Sequence, residues 1–140
     1  MKNKSKILIT SPARLHLGFM DLNGSLGRKF GSVGLAIDSI ETSITVSKNF
    51  MKDILEINEV NKRAYDYSRL ILNAYEVDEN IKIEVHKKIP EHAGLGSGTQ
   101  LALTVGVAIS KLFNLNLSLM DIGKVLDRGN RSGIGIGAFE

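Results

Sequence analysis

Along the first half of the chain, apolar residues recur at every second position. Lys6 to Thr10 is a short apolar run, and Leu15, Leu17 and Phe19 alternate with His16 and Gly18, the period of two expected of a half-buried strand. Asn23-Gly24 follows, a dipeptide suited to a tight hairpin because both central residues of such a turn take positive φ. Gly27, Gly31 and Gly34 loosen the return path, and Val33 to Asp38 resumes an apolar strand. Ile40, Thr42, Ile44 and Val46 share one face of a further strand, opposite Glu41, Ser43, Thr45 and Ser47. The period then changes. Val60, Ala64, Tyr67, Ile71 and Ala74 fall at helical spacing and predict an amphipathic helix from about Asn61 to Tyr75. Ile81, Ile83 and Val85 alternate with Lys82, Glu84 and His86, a strand with one wet face. It ends before Pro90, which has no N–H to donate to a ladder.

From about Gly98 to Phe113 the chain is apolar almost all round, with Leu101, Leu103, Val105, Val107, Ile109 and Leu112. Such a helix is central and buried. Ser118 and Asp121 have the spacing of a capping box. They open a helix running to about Asp127, with Gly129 as its C-cap. Ser132 to Phe139 reads as a loop entering a new strand. No repeat, low-complexity tract or long linker divides residues 1–140. Strands first and helices later argue for an α+β domain, an antiparallel or mixed sheet backed by helices on one face.

Composition changes this picture little. Apolar content of 43% and charged content of 24% are those of a folded globular chain. A net charge of +3 suits an anionic substrate. The cations are scattered without interleaved aromatics, which speaks against a nucleic-acid platform. With no cysteine there is no disulfide, thiolate zinc site or cysteine nucleophile, and a cytoplasmic setting is expected. The basic start is followed only by Ile7-Leu8-Ile9, too short for a signal peptide, and the long uncharged stretch Ala93 to Ser110 is too polar to span a membrane.

The candidate chemistry lies in Gly94-Leu95-Gly96-Ser97-Gly98-Thr99, between a strand and the buried helix. Alternate glycines let backbone N–H groups converge, and a helix start adds unpaired donors and the positive end of a dipole. Ser97 and Thr99 add hydroxyls able to cap the helix, touch a phosphate oxygen or ligate Mg²⁺. The loop lacks the Gly-Lys-Ser/Thr of a Walker A motif and the glycine spacing of a dinucleotide fingerprint. From the residues alone, a phosphate cradle and a plain turn with Ser97 as N-cap remain equally open.

Pro90-x-x-x-Gly94-Leu95-Gly96-Ser97 resembles the second signature of the GHMP kinases, and Pro12-Ala13-Arg14-Leu15-His16-Leu17-Gly18 resembles their first. One position departs: Gly98 stands where the kinases carry a second serine, whose hydroxyl helps hold Mg²⁺ beside the ATP phosphates. Thr99 is the nearest substitute. Within that fold, further blocks are similar to the β-ribofuranosylaminobenzene 5′-phosphate synthase family of methanopterin biosynthesis. They are Arg14 to Gly24, Gly27-Arg28, Gly34-Leu35-Ala36, Gly94 to Gln100, and Arg128 to Gly135. That resemblance implies phosphoribosyl diphosphate and 4-aminobenzoate or 4-hydroxybenzoate as substrates, Mg²⁺ as cofactor, and release of pyrophosphate and CO₂. An ATP-dependent small-molecule kinase and a non-catalytic phosphate-binding domain are the alternatives.

The resemblance gives Arg14, His16 and Asp21 catalytic roles. It gives Gly94, Leu95, Gly96, Ser97, Gly98, Thr99, Arg28 and Arg131 phosphate contacts, and Ser97 and Thr99 the metal. Arg14 and His16 would share one strand face, whereas turn chemistry alone explains Asn23. Arg128, near a helix C-terminus, reads as ordinary dipole chemistry, and His86 and His92 read as solvated. No nucleic acid or membrane partner is expected, and a homodimer is left open. The resemblance further implies a longer protein with a third glycine-rich signature and a C-terminal ferredoxin-like domain. Residues 1–140 are thus expected to be an incomplete N-terminal domain, marginally stable and inactive alone.

Overall fold

Two long strands take the place of the four short ones that the alternation suggests. A computed structural model of the chain describes residues 5–27, 31–49, 59–128 and 133–139. Strand β1 (Lys6–Met20) pairs antiparallel with β2 (Gly31–Lys48), and β2 pairs antiparallel with β3 (Ile81–Lys87), in the order β1-β2-β3. The apparent breaks between short strands are irregularities within long ones. Pro12 pairs with Glu41 and Ala13 with Ile37, so β2 bulges between Ile37 and Glu41, with Ser39 at φ 71. A proline that cannot donate to the ladder is suited to such a point. A second shift falls between His16 and Gly18.

The hairpin connection is not a two-residue turn. Asp21, Gly24 and Gly27 take positive φ, whereas Asn23 does not and instead accepts a hydrogen bond from the Ser25 N–H at 3.0 Å. The return path is also tight at Gly34. A side chain there would meet Ile134 and, at 2.6 Å, the Leu15 carbonyl oxygen.

Helix α1 (Glu59–Ala74) and helix α2 (Ser97–Leu112) match their sequence periods closely. Ala64, Ser68, Ile71 and Leu72 form the buried face of α1, while Ala74 is exposed. Leu101, Leu103, Val105 and Ile109 of α2 are buried against Ile44 and Val46 of β2. Ser43 and Thr45 are buried as well, because β2 is the central strand with neighbours on both sides. Helix α3 (Leu119–Val125) opens on the expected box. Ser118 Oγ accepts from the Asp121 N–H at 3.1 Å, and the Ser118 N–H donates to the Asp121 carboxylate at 3.0 Å. It closes earlier than expected, with Leu126 as C-cap. Asp127, at φ 53, takes the left-handed position expected of Gly129, which lies outside the described residues. The Arg128 N–H reaches the Gly123 carbonyl at 2.7 Å and the Asp127 N–H the Lys124 carbonyl at 3.3 Å, the paired bonds of a Schellman closure.

The last described segment corrects the sequence reading. Ile134–Phe139 is a short helix, α4, rather than a strand. Alternate Ile134 and Ile136 mimic a strand period, but the interspersed glycine allows close helical packing. Gly135 sits against Thr99 of α2, its carbonyl accepts from Gln100 Nε2 at 3.3 Å, and Ile136 is buried. The result is an α+β domain with an antiparallel sheet, as expected.

Candidate functional site

The glycine loop is shaped by left-handed residues in alternation, His92 at φ 57, Gly94 at φ 72 and Gly96 at φ 77. Gly96, not Ser97, is the N-cap of α2, and no side chain caps the helix. The reading of Ser97 as a plain N-cap therefore falls. The Gln100 N–H, the first intrahelical donor, bonds the Gly96 carbonyl at 2.9 Å, so the amides of Ser97, Gly98 and Thr99 before it have no acceptor within the helix. Three N–H groups and the dipole end are thus presented by a helix whose body is buried and rigid.

Arg14 is fastened to this loop from β1. Its N–H donates to the Leu95 carbonyl at 3.0 Å, and its Nη1 approaches the Gly94 carbonyl at 3.5 Å. Its Nε is buried without a hydrogen-bond partner among the described residues, and it lies 2.7 Å from where a Gly96 side chain would begin. His16 is half-buried and does not share this contact. Its ring packs on Phe19 with centroids 4.6 Å apart, and Nε2 is buried without a partner among the described residues. Asp21 stands at the far end of β1, where its carboxylate accepts from the Leu26 N–H at 3.0 Å and from Ser25 Oγ at 3.3 Å. Asp21, for which a catalytic role was expected, is thereby engaged in building the turn. With Met20, Leu26, Gly31, Ser32, Gly133 and Ile134 it lines an open depression of about 380 Å³. This depression does not include the loop.

Two arginines that the sequence reading passed over do reach the loop. Arg63 of α1 and Arg128 after α3 place their Nη2 atoms 2.9 and 4.0 Å from where a Gly98 side chain would begin. Arg63 Nη1 donates to the Glu91 carboxylate at 2.8 Å, and Arg128 Nη2 donates to Tyr67 Oη at 2.7 Å. For Arg63 the available signal was its spacing from Tyr67, one helical turn apart on the same face, whereas Arg128 stood in a resembling block but read as a helix-end cation. Arg28 and Arg131 lie outside the described residues. His86 is exposed but shares a 2.7 Å hydrogen bond with Thr45 Oγ1, and His92 is exposed.

Among the described residues no three His, Cys, Asp or Glu side chains form a metal-holding group. Near the loop the oxygen donors are Ser97, Thr99 and the Arg63-bound carboxylate of Glu91. Thr99 turns its methyl group toward Gly135. This set fits Mg²⁺ only as an ion arriving with a diphosphate, since Mg²⁺ keeps several waters and is held by few protein oxygens plus phosphate. No helix among the described residues is long and apolar enough to cross a membrane.

A left-handed glycine loop, a buried helix behind it and an antiparallel sheet in front define a class. The chain belongs to the GHMP kinase N-terminal domain family, whose model matches residues 59–138. It is 39% identical to the beta-ribofuranosylphenol 5′-phosphate synthase of Methanocaldococcus jannaschii over 96% of this chain and 44% of that protein. It is 37% identical to the synthase of the same name from Archaeoglobus fulgidus over 94% of this chain and 42% of that protein. The chain therefore spans less than half the length of these curated relatives. Among solved structures, the mevalonate kinase of Methanococcus jannaschii superposes with a TM-score of 0.65 over 97% of this chain and 52% of that one, at 19% identity, a likeness of fold.

Proposed function

We propose that the protein is a synthase joining phosphoribosyl diphosphate to a 4-substituted benzoate, with loss of pyrophosphate and CO₂. The observation that carries this reading is the convergence of Arg14, Arg63 and Arg128 on a loop of free N–H donors. Of the two aromatic acids the resemblance implies, 4-hydroxybenzoate is favoured, because the relatives are named for a ribofuranosylphenol. Decarboxylation of a hydroxybenzoate leaves a phenol.

In the reaction the C1–O bond of the ribose breaks and its electron pair leaves with pyrophosphate. The ring carbon bearing the carboxylate attacks the electron-poor C1. The C–CO₂ bond then breaks, its electrons restore the aromatic ring, and CO₂ departs. The chain's task is to hold a multiply charged leaving group and align two reactants, so electrostatics and proximity carry the catalysis. Loop amides and the Arg14 guanidinium would hold the diphosphate, because forked donors match planar arrays of oxyanions. Ser97 would contribute a hydroxyl to Mg²⁺ entering with the diphosphate, and that ion would neutralise leaving-group charge.

The rival reading, an ATP kinase, uses the same loop but would need the second hydroxyl that Gly98 does not supply. The deciding experiment incubates the whole protein with phosphoribosyl diphosphate, Mg²⁺ and carboxyl-labelled 4-hydroxybenzoate. Pyrophosphate and CO₂ are expected together, one for one, and only with both substrates. Alcohol-dependent ATP hydrolysis without CO₂ would replace this reading with the kinase.

A further inference from the structure

Arg63 and Arg128 come from segments far apart in sequence, yet both end beside one backbone position. That position is Gly98, where a side chain would begin 2.9 Å from Arg63 Nη2, so that the end of the Arg63 side chain would have to move aside. Arg128 is oriented before any ligand arrives. Its backbone closes α3 through the 2.7 Å bond to Gly123, its guanidinium carbon lies 5.6 Å from the centre of the Tyr67 ring, and its Nη2 bonds Tyr67 Oη. Its Nε is buried with no hydrogen-bond partner among the described residues, a donor left unused inside a polar cluster. Arg63 is held differently, by the partly exposed carboxylate of Glu91. A pair so exposed contributes at most about 1 kcal/mol and is readily exchanged for a more highly charged oxyanion.

We infer that Arg63 and Arg128 are a second diphosphate-holding arm, that Gly98 is glycine to admit it, and that Glu91 is the stand-in anion that Arg63 releases when diphosphate binds. The arm lies at Gly98 and Arg14 at Gly96, so the leaving group would meet cations at two points of the loop. This assignment rests on the synthase reading for the identity of the ligand, but its test does not.

The probe is inorganic pyrophosphate with Mg²⁺, titrated calorimetrically into the whole protein and its variants. Arg63→Gln should weaken binding about tenfold or more, as expected for a lost charge-assisted contact, and Arg63→Lys should restore part of it. Glu91→Gln should leave affinity unchanged or raise it, because it removes the competing anion. A purely structural Arg63–Glu91 pair would make the two glutamine variants equally poor, which would overturn the arm. Gly98→Ala should fold normally and bind several-fold more weakly, and unaltered binding there would contradict the role of Gly98. Turnover separates the two proposals. If the parent makes CO₂ and pyrophosphate while Arg63→Gln binds pyrophosphate normally, the arm is wrong and the synthase stands. If the parent is instead an ATP kinase and the variant ranking holds, the arm stands and the synthase is wrong.

Discussion

The two ends of β1 are built in opposite ways. Near Arg14 the strand meets the start of α2, where a largely buried helix and a left-handed loop bring three arginines to Gly96 and Gly98. Toward Met20 the strand runs out into a hairpin whose Leu17, Phe19, Met20, Leu22 and Leu26 are exposed, and whose polar groups bond mainly to each other. A fixed array of donors needs rigid support, and only the first end has it. The second end shapes its own turn, with Asp21 as the pivot.

The largest effect should follow from weakening that support. Leu103 is fully buried in α2, and Leu103→Ala should cost about 2–5 kcal/mol in denaturant unfolding. A loss well below this would mean that α2 is not the rigid base of the loop. Gly96→Ala comes next. A left-handed alanine costs about 1–2 kcal/mol, and its Cβ would lie 2.7 Å from Arg14 Nε. Pyrophosphate affinity should therefore fall in calorimetry even in the folded fraction, and retained affinity would separate Arg14 from the loop.

Much of this end was legible in the sequence and some was not. The left-handed glycine loop and the buried helix follow from local features, glycine spacing and an apolar stretch that no strand explains. The convergence of Arg63 and Arg128 does not, because it depends on how α1 and α3 pack against α2. Arg128 looked like a helix-end cation for the same reason. Helix α4 was misread because Ile134 and Ile136 satisfy a strand period, and only its packing on Thr99 and Gln100 decides for helix. At the hairpin, Asn23-Gly24 correctly marked a turn, but the role of Asp21 as its hydrogen-bond acceptor was invisible to spacing.

A smaller effect should appear at the start of α3. The hydroxyl of Ser118, and after it the Ser118 backbone N–H, hold the Asp121 carboxyl below the usual carboxylate range. A depressed folded value means that this stabilisation is present above the unfolded pKa, about 3.9, and is lost as pH falls through the lower folded value. Ser118→Ala should cost about 1 kcal/mol at neutral pH. The gap between variant and parent should narrow in acid to what the cap of the Asp121 N–H contributes, and a constant gap at all pH values would refute the linkage. The smallest effect belongs to the exposed arm. Leu17→Ser, at a residue 64% exposed, should change stability by no more than about 0.5 kcal/mol, and a larger loss by thermal unfolding would show that the arm is packed after all.

The contrast between the two ends is tested most directly by mapping where an anion lands. Pyrophosphate with Mg²⁺ would be titrated into ¹⁵N-labelled protein while backbone amide shifts are followed. The amides of Gly94 to Thr99 should move together and saturate, while those of Asp21 to Leu26 stay in place. Saturable shifts confined to the hairpin, with the loop amides unmoved, would contradict the account.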